Sequence, residues 1–556
     1  MPCRAIVRNI SPSRSWFRFV SRIHFTRTIS GCALLILSAS LFMAGQVSVT
    51  TYHNDNNRTG WNSHETALTP TSVKGTSFGV QLTVPLDDQV DAQPLIVPKV
   101  KITAGNFKGL HNVVYVATDN NSIYAIDMTS GTVLLQPNFG PPVVTPLLCG
   151  KNNPDVGINS TPVIDLTSNT LYAMVYTQQA SGPAYYLHAL DLGSLTDKVP
   201  PQLVTASHTL TSGNAFTFNA TYQRQRPGLL LANGNIYAGF GSFCDRSPNL
   251  SRGWVLGWQT GTLTPLPGNQ LTDTQATDTG EYFLSSIWMS GYALAADDSG
   301  NVLFVTANSD PTGTTYDGVT NIQESVVAVS PDLTTVLDLF TPSNVADMDE
   351  NDLDFGSGGV MVLPDQPGSV PEMAVAAGKI GSMFLMNEQN LGGYNSGSNN
   401  VLGTYTVGPC WCGESYFVDP KDGVARVVSS GGSKIIVWQV LTSPTPSLVE
   451  VSSSPTLSTV GTGFFTAVSS NGTANPIIWA LSRNSGKQTT INLYAFEPDI
   501  GGTTMKMLYS GAVGTWVVNG TNSNLVPVVA NGRVFVASYK ELVILGVTPK
   551  AGESSK

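Results

Sequence analysis

The chain has 556 residues, a net charge of −10 and only 12% charged residues, about half the ordinary share. Gly (54), Pro (34) and neutral polar residues take their place, and 41% hydrophobic content is enough for a globular core. An acidic surface repels phosphate backbones, which excludes nucleic acid and anionic membrane as natural partners, and the turn-rich composition argues against a helical cytosolic enzyme.

Residues 1–45 stand apart. Six arginines (Arg4, Arg8, Arg14, Arg18, Arg22, Arg27) and no acid precede the apolar run "GCALLILSASLFMAGQ". A basic segment, a short apolar segment and small residues near Ala44–Gly45 predict an export signal, and the run is short for a membrane span. "ISGC" is not a lipidation box, because the apolar run follows Cys32 instead of preceding it. Without residues 1–45 the chain carries 22 basic and 38 acidic residues, net −16. The expectation is a secreted or periplasmic protein with no membrane span after cleavage.

Residues 46–90 are expected to form an N-terminal arm and a closing strand. The polar, aromatic stretch "YHNDNNRTGWN" (Tyr52–Asn62) reads as an ordered arm folding over one face. "FGVQLTVPLDD" (Phe78–Asp88) reads as a strand that closes a ring against its last unit.

From 91 to 549 helical periodicity is nearly absent. Short apolar segments alternate with turn residues in a recurring unit, as in "NVVYVATDNNSIYAIDMTSG", "STPVIDLTSNTLYAMVY", "RPGLLLANGNIYAGF" and "LVPVVANGRVFVASYKELVILGV". Asn233-Gly234, Ser299-Gly300 and Asn531-Gly532 mark tight hairpins. A small antiparallel unit cannot bury both faces alone, so repetition predicts radial stacking. The predicted fold is all-β: a β-propeller of four-stranded blades, eight by count, with seven as the alternative. Residues 550–556 are expected to be a disordered tail.

Four cysteines follow residue 45: Cys149, Cys244, Cys410 and Cys412. In an exported chain an even count favours disulfides, and three pairings are open. "CWC" closes a tight ring or binds a soft metal. The six histidines are scattered, which gives no support to a zinc site or a Ser-His-Asp triad. "DMDENDLDFGSGG" concentrates Asp347, Asp349, Glu350, Asp352 and Asp354 within eight positions. It fails as an EF-hand loop, because Asp352 stands where glycine is needed and Gly358 where glutamate is needed.

"VYVATDNNSIYAIDMTSG" resembles the repeat of the quinoprotein propellers, built around pyrroloquinoline quinone (PQQ); non-enzymatic propellers share that repeat. "SSIWMSGYALAADDSGNVLFVTAN" resembles the family stretch carrying a stacking Trp and then a metal-binding Asn. The resemblance implies Trp288 as the floor under the quinone and Asn308 as a Ca²⁺ ligand. "NDLDFGSG" resembles the stretch with the catalytic base, implying Asp352 as base and metal ligand, with Asn351 in place of the family Trp. "AAGKIGSMFLMN" implies Lys379 as the cation at the quinone carbonyls. "GSFCDRSPNLSRGWVLGW" lacks the family's Glu, and Asp245 is the nearest acid to serve the metal. In the same acidic run, Asp347, Asp349 and Glu350 read as loop charge and Asp354 as the start of the next inner strand.

The family caps its quinone with a disulfide between adjacent cysteines, and no Cys-Cys dipeptide or CxxCH haem site occurs here. The docking Trp that ends the family repeat is Leu135 in the first unit. On these departures the sequence favours a non-catalytic binding or scaffold role, its partner a protein, glycan or small hydroxyl compound. The alternative is a divergent PQQ- and Ca²⁺-dependent oxidoreductase acting on an alcohol or sugar hydroxyl.

Overall fold

The computed structural model describes residues 46–149, 153–276, 283–309, 316–457, 462–482, 490–498, 502–516 and 524–548. The expected export signal (1–45) and the expected tail (550–556) lie outside the described residues.

The chain is an eight-bladed β-propeller. Blade 1 contains strands Leu95–Ile102, Gly109–Ala117, Ile123–Asp127 and Val133–Leu135 in sequential antiparallel order. Blades 2 to 7 begin with inner strands Val163–Asp165, Leu230–Ala232, Ala295–Ala296, Val360–Val362, Ser415–Val418 and Phe465–Asn471. Blade 8 is assembled from both ends of the propeller: Val528–Ala530, Arg533–Ala537 and Tyr539–Val547, completed by Phe78–Gln89. Phe78 pairs with Val547 and Gln89 with Tyr539 in an antiparallel register, so the N-terminal strand fastens the ring.

Local chemistry explains the hairpins. Asn233 and Gly234 both have positive φ (54° and 70°), as do Asn531 and Gly532 (57° and 74°). A two-residue turn of the hairpin hand needs two left-handed residues, which Asn and Gly adopt most cheaply. The blades bury their faces against each other. Met361, Val375 and Met383 of blade 5 pack with Tyr416, Val427 and Trp438 of blade 6 in one apolar layer.

The arm runs around the inside of the ring and bonds to the inner strands in blade order. Val49 pairs with Ile96, and Thr50 O accepts from Ile164 N at 2.8 Å. Asn56 Nδ2 donates to Leu231 O, and Asn56 O accepts from Ala296 N. Asn57 O, Thr59 O and Gly60 O accept from Val362 N, Tyr416 N and Val468 N. Asn62 Nδ2 donates to Val529 O, which completes the circuit on blade 8. Leu231, Ala296 and Val362 lie where the inner strand enters its first turn. The loops before each inner strand, and those between second and third strands, share one pole of the ring, and the arm also reaches that side through Arg58 Nε to Leu294 O and His53 N to Gln93 Oε1.

Candidate functional site at the open pole

Antiparallel connectivity gathers the expected residues at that pole. Trp288 precedes the inner strand of blade 4, and Asn308 follows its second strand. Asp352 and Asp354 precede the inner strand of blade 5, and Lys379 lies between its second and third strands. Asp245 follows the second strand of blade 3.

Lys379 is the centre of the group. Its Nζ lies 2.6 Å from Asp354 Oδ2 and 2.9 Å from Asp352 Oδ1. It also sits 5.9 Å from the ring centroid of Trp288 and 5.6 Å from that of Trp411. Burial alone would lower the Lys379 pKa, but Asp354 and Asp352 outweigh it and hold the ammonium above its usual value. Asn308 N donates to Asp354 Oδ1 at 3.3 Å, and no hydrogen bond to the Asn308 side chain occurs among the described residues.

The two aspartates have different surroundings. The Asp352 side chain is 71% exposed, with φ at +54°, whereas that of Asp354 is 6% exposed and meets Lys379 at 13%. Burial pushes the Asp354 carboxyl up to about 6; Lys379 opposes the rise, while the charges of Asp352 and Asp245 add to it. Glu324 lies behind it, fully buried, accepting from Phe355 N at 2.5 Å, with Oε1 unpartnered. Burial first, and then the Asp354 charge, raises Glu324 well above the carboxylate range.

Asp349, expected as solvated loop charge, is buried. It accepts from Ser309 N at 2.7 Å and Gln323 Nε2 at 3.0 Å, so its partners come from the long loop of blade 4. Asp245 is exposed and accepts from the Ser242 hydroxyl. Its negative charge is felt at Asp354.

Two disulfides stand at this pole. Cys149–Cys244 ties the loop before blade 2 to the Asp245 loop of blade 3. Cys410–Cys412 closes a ring around Trp411. Ser285, Met289 and Ser290 hold left-handed backbone (φ 44°, 43° and 48°) on either side of Trp288. Such conformations persist only where surrounding packing imposes them.

A second polar group faces the same pole from blades 1 to 3. Asn159 Nδ2 donates to Asp91 Oδ2 at 2.5 Å and to Asp119 Oδ1 at 3.1 Å, while Arg224 Nη2 donates to Asn159 Oδ1 at 2.6 Å. Arg226 gives one N–H to Asn159 O, and its Nε and Nη2 are buried without an acceptor. Burial, then the Asp91 charge, holds Asp119 well above the carboxylate range. None of these residues, nor Glu324 or Trp411, was singled out by the sequence. The one available signal was the Cys-Trp-Cys ring; the others sit in unremarkable loop sequence.

A cavity of about 330 Å³ lies away from this pole, lined by Pro70, Thr71, Lys74, Gly75, Glu497 and Lys506. Among the described residues no helix is long and apolar enough to cross a membrane.

No family model and no curated protein sequence matches the chain. Solved structures do. A quinohemoprotein alcohol dehydrogenase from Comamonas testosteroni superposes with a TM-score of 0.58 at 12% identity, covering 92% of this chain and 82% of that one. A second quinohemoprotein alcohol dehydrogenase, from Pseudomonas putida, gives 0.60 at 12% identity with the same coverage. A europium-containing methanol dehydrogenase gives 0.53 at 9% identity, over 90% of this chain and 98% of that one. At such identities the likeness is one of architecture: the chain has the eight-bladed propeller fold of the PQQ alcohol and methanol dehydrogenases.

Proposed function

We propose that the protein is a divergent quinoprotein-type oxidoreductase acting on an alcohol or sugar hydroxyl at the open pole. The observation that carries this reading is the convergence of Trp288, Asp352, Asp354 and Lys379, with Asn308 bonded to Asp354. These residues are dispersed over about ninety positions of sequence, and random loop charge gives no reason for them to meet.

The residues fit the group. PQQ is a flat polycarboxylate; Trp288 offers it a stacking face, and the buried, unpartnered Nε and Nη2 of Arg226 offer a carboxylate two donors. Asn308, Asp352 and Asp245 carry oxygen donors of the kind calcium takes, but the carboxylates of Asp245, Asp352 and Asp354 do not gather within 4.8 Å of one another, and Lys379 holds Asp352 and Asp354. When bound, the quinone supplies a two-electron acceptor.

Asp354 is the better general base of the two aspartates. A carboxylate of pKa about 6 is ionised near neutrality and still basic enough to take a hydroxyl proton, while Asp352 remains in water at the rim. Lys379 keeps Asp354 oriented and supplies positive charge where negative charge develops.

The non-catalytic binding reading keeps one supporting observation. Asp245, the stand-in for the family's metal-binding Glu, is already engaged by Ser242 and follows a disulfide-bonded Cys244. The deciding experiment titrates the purified chain with PQQ in the presence and absence of Ca²⁺, following tryptophan fluorescence, and then measures dye-linked oxidation over an alcohol and sugar panel. Saturable quenching that is lost in Trp288→Ala supports the redox reading. No binding and no oxidation would leave a binding propeller.

A further inference from the structure

Below Trp411, Glu414 is completely buried, and neither of its carboxylate oxygens has a hydrogen-bond partner. A buried carboxyl without a donor costs several kcal/mol if ionised, so it calls for a proton, a water or an ion. The ligand atoms of Cys410, Cys412 and Glu414 all lie within 4.8 Å of one another, and both cysteines are fully buried. Packing keeps that arrangement in place. A Cβ on Gly413 would fall 2.0 Å from the Tyr292 ring, and one on Gly463 would fall 3.2 Å from Cys412 Sγ.

We propose that Cys410, Cys412 and Glu414 form a latent binding site for a soft or borderline divalent cation, opened by reduction of the Cys410–Cys412 disulfide. A dithiol donor gives two electrons and two protons to the disulfide; the S–S bond breaks, two thiols form, and the donor becomes a disulfide. The cation then displaces both thiol protons and the proton on the buried Glu414 carboxyl, all three passing to water, and is held by two thiolates and the Glu414 carboxylate, a donor set suited to Zn²⁺ or Cd²⁺ and poor for Ca²⁺. The site is separate from the oxygen-rich group around Asp354, and its failure would leave the redox reading untouched. Trp411 lies between the two cysteines and beside Lys379, so its fluorescence reports occupancy.

The test reduces the full folded chain with a dithiol, removes the reductant and titrates Cd²⁺, following thiolate-to-cadmium absorption and tryptophan fluorescence. The expected result is one Cd²⁺ per reduced chain and none in the oxidised chain. Cys410→Ser and Cys412→Ser should each lose the absorption band. Glu414→Gln, which keeps the side-chain shape, should weaken binding, and the Cys149→Ser/Cys244→Ser double variant should retain it. Three outcomes overturn the proposal: no band in the reduced chain, a band that survives Cys410→Ser and Glu414→Gln, or a thiol titration showing that the disulfide stays closed in the folded protein.

Discussion

Asp352 and Asp354 are two positions apart, share one lysine and differ in what surrounds them. That difference sets their expected chemistry. Asp354→Asn removes the one buried carboxylate on Lys379, and turnover should fall by about 10²–10⁴, the usual worth of a positioned acid–base group. Asp352→Asn at the exposed rim should change turnover only a few-fold. Activity should rise with pH as Asp354 ionises, and the acid limb of the rate profile should disappear in Asp354→Asn. Turnover that survives Asp354→Asn but collapses in Asp352→Asn would assign the base to the rim residue instead. A second titration concerns stability. Burial raises Glu414 from 4.5 to about 7. The folded state therefore holds this proton more tightly than the unfolded one. The associated stability is fully present below pH 4.5 and is lost as the pH rises through about 7, by up to roughly 3 kcal/mol. Glu414→Gln should flatten the fall in urea midpoint over that window while leaving other pH dependence in place.

At the scale of elements, the arm is the least conventional piece. Its stability rests on Arg58, which is fully buried and donates to Leu294 O, Thr51 Oγ1, Tyr52 O and Asp55 O. The ring nitrogens of His53 beside it lie 3.0 Å from Arg58 O and 2.8 Å from Thr466 O, and burial lowers its pKa to about 4, so the ring stays neutral and its single N–H donates to one of these carbonyls. Arg58→Ala strands several carbonyls inside the ring and should cost about 3–5 kcal/mol in urea-unfolding free energy. A cost under about 1 kcal/mol would mean that the arm peels away without consequence. The blades themselves were legible in the sequence, because turn residues and apolar alternation are local signals. The path of the arm was not. Its contacts reach strands as distant as Val468, through Gly60 O, and Val529, through Asn62 Nδ2, and the backbone groups that receive the arm carry no sequence signature. The same reason hid the burial of Asp349, whose partners Ser309 and Gln323 belong to another blade's loop. The order of Trp288, Asn308, Asp352 and Lys379 was readable because each sits in a recognisable stretch. Which aspartate faces inward was not, since a single residue of loop geometry decides it.

For the whole molecule, a ring has one seam, and here the strand Phe78–Gln89 closes it on blade 8. Val84 is buried within that seam, among Ile126 and Ile544. Val84→Asp would bury a charge with no partner and should open the ring, seen as loss of soluble folded chain, whereas Val80→Asp at an exposed position of the same strand should be tolerated. The disulfides act on the ring unequally. Cys149–Cys244 spans 95 residues, whereas Cys410–Cys412 spans two. If constraint of the unfolded chain dominates, the first contributes about 5 kcal/mol and the second about 1 kcal/mol. Replacing Cys149 and Cys244 by serine should therefore lower the urea-unfolding free energy several times more than replacing Cys410 and Cys412. Equal losses would show that the short ring stabilises by packing Trp411 in the folded state, and would tie the stability of the propeller to its open pole.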